Sequence, residues 1–280
     1  MSEDSSSDAE VHPGALAFRP DWLALADEPA IAPGRNAIDP HFHFFDGSTF
    51  FPRFMPEDLR ADTEAHGIAQ AVFVQCREHV REDGPEHLRP VGETEWVDGL
   101  ATGLRDTDGV QVGAIVADAW LGHGDRIGET LDAHAEASSL FRGIRDMGIW
   151  DDSPEVESIE HATGPDFYGS PAFREGFAEL ARRDLSFDAY QYHTQLFSVE
   201  ALARAFPDTV IVIDHLGTPT GAGPYVGKRE AVFDDWARSM RSAAECPNVF
   251  VKLGGMAMPW SGFGWAERDR PPSSDEFVST

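Results

Sequence analysis

The stretch Ile38-Asp39-Pro40-His41-Phe42-His43-Phe44 opens the first convincing apolar element of the chain. Successive side chains of a β-strand point to opposite faces, so we expect Asp39, His41 and His43 on one face and the apolar side chains on the other. Two neutral imidazoles placed in this way can hold a divalent metal or act on a hydrolysable substrate. Solvated or core histidines are the alternative interpretation, but an H-x-H pair on an apolar strand favours a site.

The composition limits the partners of the chain. It has 49 acidic and 22 basic residues, a net charge of -27 and only two lysines, Lys228 and Lys252. Such a surface repels the phosphates of nucleic acids and anionic membranes, so we expect neither as a partner. It suits a protein that is kept in concentrated salt, where screening removes the self-repulsion of the acidic groups. We therefore predict a halophilic protein.

The sequence lacks the usual signals for membrane insertion and for a disulfide framework. No apolar run approaches the roughly 20 residues of a membrane span, and residues 1–10 are acidic and Ser-rich, unlike a signal peptide. Cys76 and Cys246 lie far apart and show no metal-type spacing. We predict a cytoplasmic protein with a disordered or irregular lead-in over residues 1–36 and one domain over residues 37–280.

Strand-like and helix-like segments alternate along that domain. The predicted strands cover residues 38–44, 69–75, 110–116, 140–145, 185–190, 209–213 and 249–253. The predicted helices cover about residues 56–66, 93–107, 125–137, 171–183, 196–205 and 228–244. Parallel strands need such crossovers, and their regular succession predicts an α/β fold of the (β/α)8 TIM-barrel type. A doubly wound dinucleotide-binding sheet is less favoured, because no Gly-x-Gly-x-x-Gly follows the first strand.

Polar residues gather where the predicted strands end. Catalytic groups of such barrels lie at the carboxyl ends of the strands. The residues in question are His41 and His43 on strand one, Gln75 and Cys76 on strand two, Arg145 and Asp146 on strand four, His193 after strand five, Asp214 and His215 on strand six and Lys252 in strand seven. We therefore predict that His41, His43, His193 and His215 converge in one pocket.

Several motifs resemble one known family, the amidohydrolase-related group often called amidohydrolase 2. They are the I-D-x-H-x-H opening at 38–43, FRGIR at 141–145, LSFD at 185–188 with His193, IDHLGTP at 213–219 and NVFVKLGG at 248–255. Each motif is weak alone, whereas their order and spacing together are specific for the family. The group includes lactonases and some decarboxylases, so the motifs do not identify a substrate.

The resemblance implies a barrel with a catalytic site at its mouth. Metal-using members would ligate zinc or manganese with the residues matching His41, His43, His193 and His215, and some lactonases of the group work without metal. His215 and Arg145 would be catalytic, with Arg145 binding a substrate carboxylate through its planar fork. The alternative for Arg145 is a structural ion pair. The other predicted substrate contacts are Gln75, Lys252 and Tyr190. For Lys252, the alternative interpretation is a buried side chain that pairs with an acidic residue.

The chain departs from the family in one respect. The family ends with an eighth strand carrying an Asp or Asn, and residues 254–280 contain no strand-like apolar run. Asp214 is no obvious replacement, because neighbouring residues of a strand face opposite ways and His215 should face the site. We therefore predict a barrel lacking its eighth strand. Strands one and seven should not pair with each other, and their edges should be open or covered by residues 254–280.

Three functions remain open from the sequence. The first is hydrolysis of a small carboxylated lactone, ester or amide, with a divalent metal activating water. The second is metal-dependent decarboxylation on the same scaffold. The third is a catalytically impaired barrel or a binding protein, which the missing strand favours. The expected partner is a small carboxylated molecule, and assembly into a homo-oligomer stays open.

Overall fold

One curled sheet of seven parallel strands organises the molecule, as the sequence predicts. The computed structural model describes residues 19–26, 28–47, 51–105 and 107–279. The strands are β1 (Ala37–Phe42), β2 (Ile68–Val74), β3 (Gln111–Asp118), β4 (Phe141–Met147), β5 (Ser186–Tyr190), β6 (Ile211–Ile213) and β7 (Val249–Val251). Each strand pairs in parallel with the next one along the chain. The sheet is therefore seven-eighths of a (β/α)8 barrel.

Helices connect most of the strands. They are α1 (Pro20–Leu23), α2 (Pro56–Glu64), α3 (Val91–Arg105), α4 (Ile127–Ala137), α5 (Pro171–Arg182), α6 (Leu196–Ala205), α7 (Arg229–Ala243) and α8 (Ser274–Val278). Their boundaries follow the sequence signals closely: α2 and α5 both have proline at their first position, where no backbone hydrogen bond is lost. None of the helices in the described ranges is long and apolar enough to cross a membrane.

The apolar core lies between the sheet and the helices. On α5, the buried residues Phe173, Phe177 and Leu180 follow the three- and four-residue spacing that places side chains on one helix face. The ring of Phe187 on β5 meets those of Phe173 and Phe177 at centroid distances of 5.7 and 5.3 Å. Since the apolar side chains of the strands point outward into this layer, the polar ones occupy the interior of the curl.

Burial alternates along the end of the first strand and the two residues after it, as the sequence predicts, although β1 ends at Phe42 and not at residue 44. Phe42 and Phe44 are buried in the core, and the half-buried His41 and His43 point the other way. Ile38 is an exception, because it lies on an edge strand and is 60% exposed.

The barrel is not closed by backbone pairing. Within the described residues, β1 pairs only with β2 and β7 only with β6, which confirms the predicted absence of a ladder between them. The described part of the tail forms 3-10 turns and the short helix α8, and no strand. It packs against the lead-in instead: Trp22 Nε1 donates to the carbonyl of Arg268 at 2.8 Å, and Glu28 accepts from the Ser274 backbone at 3.1 Å.

The differences from the predicted boundaries are small. β6 begins at Ile211 rather than at residue 209, and β7 ends at Val251, so Lys252 lies one residue beyond its strand. Residues 19–36 include α1, whereas the predicted disorder of residues 1–10 lies outside the described residues. Cys76 and Cys246 are free thiols, as expected from their spacing.

Candidate active site

Four charged side chains and the imidazole of His41 meet inside the curl of the sheet, each on one of five strands or directly after it. Lys252 Nζ donates a hydrogen bond to Asp188 and lies 3.1 Å from Asp214 Oδ1. Asp214 Oδ2 lies 3.6 Å from Arg145 Nη1, and its Oδ1 lies 3.5 Å from His41 Nδ1. All four of the charged side chains are almost completely buried. Two carboxylates and two cations therefore neutralise each other at the carboxyl ends of the strands.

Lys252 also joins the two open edges of the sheet. Its Nζ lies 3.2 Å from Nδ1 of His41, so a side chain that follows β7 touches one on β1 although the strands do not pair. The curl of the sheet thus brings both edges to one site.

Three histidines lie in or beside this charge network. Nε2 of His41 lies 3.1 Å from Nε2 of His43, and the rings of His41 and His215 are 4.6 Å apart between centroids. Nδ1 of His43 lies 2.6 Å from the carbonyl oxygen of Val74. Because a carbonyl only accepts, Nδ1 of His43 carries the proton and its Nε2 presents a lone pair to His41.

Burial and neighbouring charges set the ionisation of these groups. Burial lowers the pKa of His41 and His43, and it lowers that of His215 to about 3, so all three imidazoles are neutral near pH 7. Burial alone would raise the pKa of Asp214, but its close contact with His41 and the charges of Lys252 and Arg145 hold it below its usual range. Burial and the nearby Asp214 raise the pKa of Asp188. Asp214 is therefore the carboxylate that stays ionised most readily.

The position of Asp214 corrects the expectation from strand alternation. β6 ends at Ile213, and residues 214–217 form a tight turn in which His215 and Leu216 have φ angles of 51° and 57°. These left-handed conformations are uncommon for residues other than glycine. They break the alternation of the strand, so Asp214 and His215 both reach the site. Strain of this kind is often found at functional sites.

Gly255 makes room for His215. A Cβ atom added to Gly255 would lie 2.4 Å from Nδ1 of His215, and Gly255 itself has a φ angle of 80°. We expect Gly255→Ala to displace the His215 ring and to lower the rate constant kcat by about 10- to 100-fold. A displacement of a catalytic group by about 1 Å has an effect of this size. Circular dichroism should show an intact fold. Gly254→Ala is the matched control, since a Cβ there meets nothing within 4 Å among the described residues. Equal turnover in both variants would contradict this role.

The remaining predicted residues line the same interior. Tyr190 lies beside the site, with its ring centroid 5.3 Å from that of His215 and 5.8 Å from Cζ of Arg145. Gln75 is fully buried; its backbone carbonyl accepts a hydrogen bond from Arg145, whereas its side-chain amide has no hydrogen-bond partner within the described part of the chain. A buried amide without a partner points to a missing ligand or water. Arg145 can fill both of its predicted roles. Its Nη1 pairs with Asp214, as in a structural ion pair, and its Nε has no partner in the described ranges and can bind a substrate.

His193 does not join the other histidines. It lies three residues beyond the end of β5 in a 3-10 turn, and its ring packs against Tyr225 at 5.4 Å. Among the described residues, the group whose ligand atoms lie within 4.8 Å of one another is His41, Asp214 and His215. Of the four histidines predicted to converge, His41 and His215 belong to this group, His43 contacts His41 beside it, and His193 lies outside it. Asp214, which was not predicted as a ligand, lies within the group.

This group fits a divalent metal. Neutral imidazoles and a carboxylate are the ligands of catalytic zinc sites. Nε2 of His43 lies 3.1 Å from Nε2 of His41, next to this group but outside it. Asp188 and Asp214, which belong to the buried charge network, were missing from the predicted set of site residues. The signals that could have found them are their places in the LSFD and IDHLG motifs.

Comparison with known proteins agrees with this fold. A profile of the amidohydrolase family matches residues 38–280. The y4mH protein of Sinorhizobium fredii is 31% identical over 263 residues, spanning 86% of this chain and 80% of that protein. L-fucono-1,5-lactonase of Burkholderia ambifaria is 28% identical over 236 residues, spanning 78% of this chain and 67% of that enzyme.

Solved structures give the same answer for the fold. The crystal structure of an amidohydrolase from Burkholderia multivorans with bound zinc superposes with a TM-score of 0.57 at 22% identity, covering 78% of this chain and 69% of that one. At this identity the likeness shows the barrel fold alone. The sequence match over residues 38–280, together with the barrel, shows that the chain belongs to the amidohydrolase family of enzymes.

Proposed function

We propose that the protein hydrolyses a small carboxylated lactone, ester or amide at the interior site. The observation that carries the proposal is the meeting of His41, His215 and Asp214 with two buried cations at the carboxyl ends of the strands. The similarity to an L-fucono-1,5-lactonase supports lactones as the first substrate class to test. The acidic composition supports action in a high-salt cytoplasm.

The proposed metal ligands are His41, His43, His215 and Asp214. A zinc or manganese ion held there would polarise the scissile carbonyl and lower the pKa of a water molecule. The zinc in the Burkholderia multivorans relative supports zinc as the ion to test first. His193 is left out of this set, because among the described residues its ring contacts Tyr225 and it does not belong to the group of clustered ligand atoms.

The side chains around the ligands supply binding and orientation. Arg145 can donate from Nε to an oxygen of the substrate while Asp214 holds the other side of its guanidinium group. The buried amide of Gln75 can donate to one substrate oxygen and accept from a hydroxyl. Lys252 already pairs with Asp188 and Asp214, so its predicted role as a substrate contact is not part of the proposal.

A lactonase assay tests the proposal. Hydrolysis of a lactone releases an acid, so a pH indicator should report proton release from a panel of sugar-acid lactones. The assay should contain about 2 M KCl to screen the negative charge. We expect His215→Asn to lower kcat/KM by at least about 100-fold, as expected when an interaction with the reacting groups is lost. His66→Asn, an exposed histidine outside the site, is the control.

Product analysis separates the competing functions. Release of carbon dioxide from an aromatic or conjugated acid, without lactone or ester hydrolysis, would identify a decarboxylase. Turnover of neither class, with substrate analogues still bound, would identify an impaired barrel. Either result would overturn the proposal.

A further inference from the structure

Lys252 is buried, although lysine side chains are usually exposed on protein surfaces. It is one of only two lysines in the chain, and it is 7% exposed. Its Nζ contacts Asp188, Asp214 and His41. Two of these three, Asp214 and His41, also belong to the group that fits a divalent metal. The ammonium group and a metal ion therefore share partners.

The charge of the site is already balanced without a metal ion. Asp188 and Asp214 carry the two negative charges, and Lys252 and Arg145 carry the two positive ones. A divalent ion beside Asp214 would add two positive charges next to a buried ammonium group. Repulsion between charges is much stronger in a buried site than in water. The site thus disfavours a metal ion while Lys252 stays in place.

The hydrogen bonds of the histidines lead to the same conclusion. An ammonium group can only donate, so the contact at 3.2 Å uses the lone pair on Nδ1 of His41. The proton of the neutral His41 ring then resides on Nε2, where it can be donated to the lone pair of His43 Nε2 at 3.1 Å. In that arrangement His41 has no lone pair left for a metal ion. Binding of the ion requires Lys252 to release His41.

We propose that Lys252 is a positioning residue that competes with a divalent metal ion for His41 and Asp214 and weakens its binding. The inference rests on the proposed site but not on the identity of the substrate. Removal of the ammonium group frees both partners and leaves an excess of negative charge. The expected result is tighter metal binding, whereas loss of a residue that merely supports the site would weaken it.

A zinc titration tests this competition. Metal-free protein is titrated with zinc ions in competition with a chromophoric chelator, with Lys252→Met and the wild type compared at the same salt concentration. We expect Lys252→Met to bind zinc about 10- to 100-fold more tightly, since a nearby positive charge is removed. Lys228→Met is the matched control, because it removes the other, exposed lysine and should leave the affinity within about twofold of the wild type.

A double variant covers the case in which Lys252→Met fails to fold. Lys252→Met with Asp188→Asn removes one charge of each sign and keeps the site balanced, and Asp188 is outside the group that fits the metal. It should also bind zinc more tightly than the wild type. Unchanged or weaker zinc binding in the folded variants would overturn the proposal. Because no substrate is present, the result is independent of whether the protein hydrolyses lactones.

Discussion

Replacement of Asp214 by Asn is expected to lower the free energy of unfolding by about 3–5 kcal/mol, the cost of breaking a buried ion pair from one side. The Asp214 side chain is completely buried and faces Lys252, Arg145 and His41 at 3.1, 3.6 and 3.5 Å. Without its charge, two buried cations would share Asp188 alone. Urea unfolding at constant salt, followed by circular dichroism, measures the change.

The pH dependence of the same variant gives a second readout. Folding lowers the pKa of Asp214 below its ordinary value of 3.8. The stability contributed by its charge is therefore present above pH 3.8 and is lost as the pH falls towards the folded-state pKa. The difference between the variant and the wild type should shrink in acid.

An exposed aspartate provides the control for this experiment. Asp83→Asn removes the same charge from a loop on the surface and should change the stability by less than about 0.5 kcal/mol. A loss below about 1 kcal/mol in Asp214→Asn would show that solvent, rather than Asp214, compensates the cations.

The fold was predictable because its elements repeat simple patterns. The alternation in β1 placed His41 and His43 opposite Phe42 and Phe44, and the structure confirms that arrangement. The spacing of apolar residues likewise predicted α5 and its buried face. These patterns depend on periods of two and 3.6 residues, which a sequence displays directly.

The site was less predictable because its residues lie where those periods end. Asp214 follows the last residue of β6, and the left-handed turn at His215 breaks the alternation from which we predicted that Asp214 faces away from the site. His193 lies in a turn after β5, where no period fixes its direction. The contact between Lys252 and His41 spans the two edges of the sheet, so it depends on the curl of all seven strands. No local pattern contains that information.

Replacement of both His41 and His43 by Ala is expected to abolish zinc binding and to lower kcat/KM by at least about 1,000-fold, since a metal-activated reaction loses several kcal/mol of transition-state stabilisation with the ion. The two Nε2 atoms are 3.1 Å apart, and His41 also contacts Asp214 and Lys252. The variant therefore removes two of the proposed ligands at once. Elemental analysis after reconstitution and dialysis measures the zinc content, and the lactonase assay measures the activity.

The double variant His66→Ala with His87→Ala is the matched control, because it removes two histidines from outside the barrel interior. It should keep one zinc ion per chain and full activity. The two measurements also separate two ways in which the site can work. If the wild type binds no zinc but loses its activity when His41 and His43 are replaced, the histidines act on the substrate directly and Lys252 is the cation that contacts both Asp214 and His41. If the His41 and His43 variant keeps both its zinc and its activity, the proposed metal set is wrong.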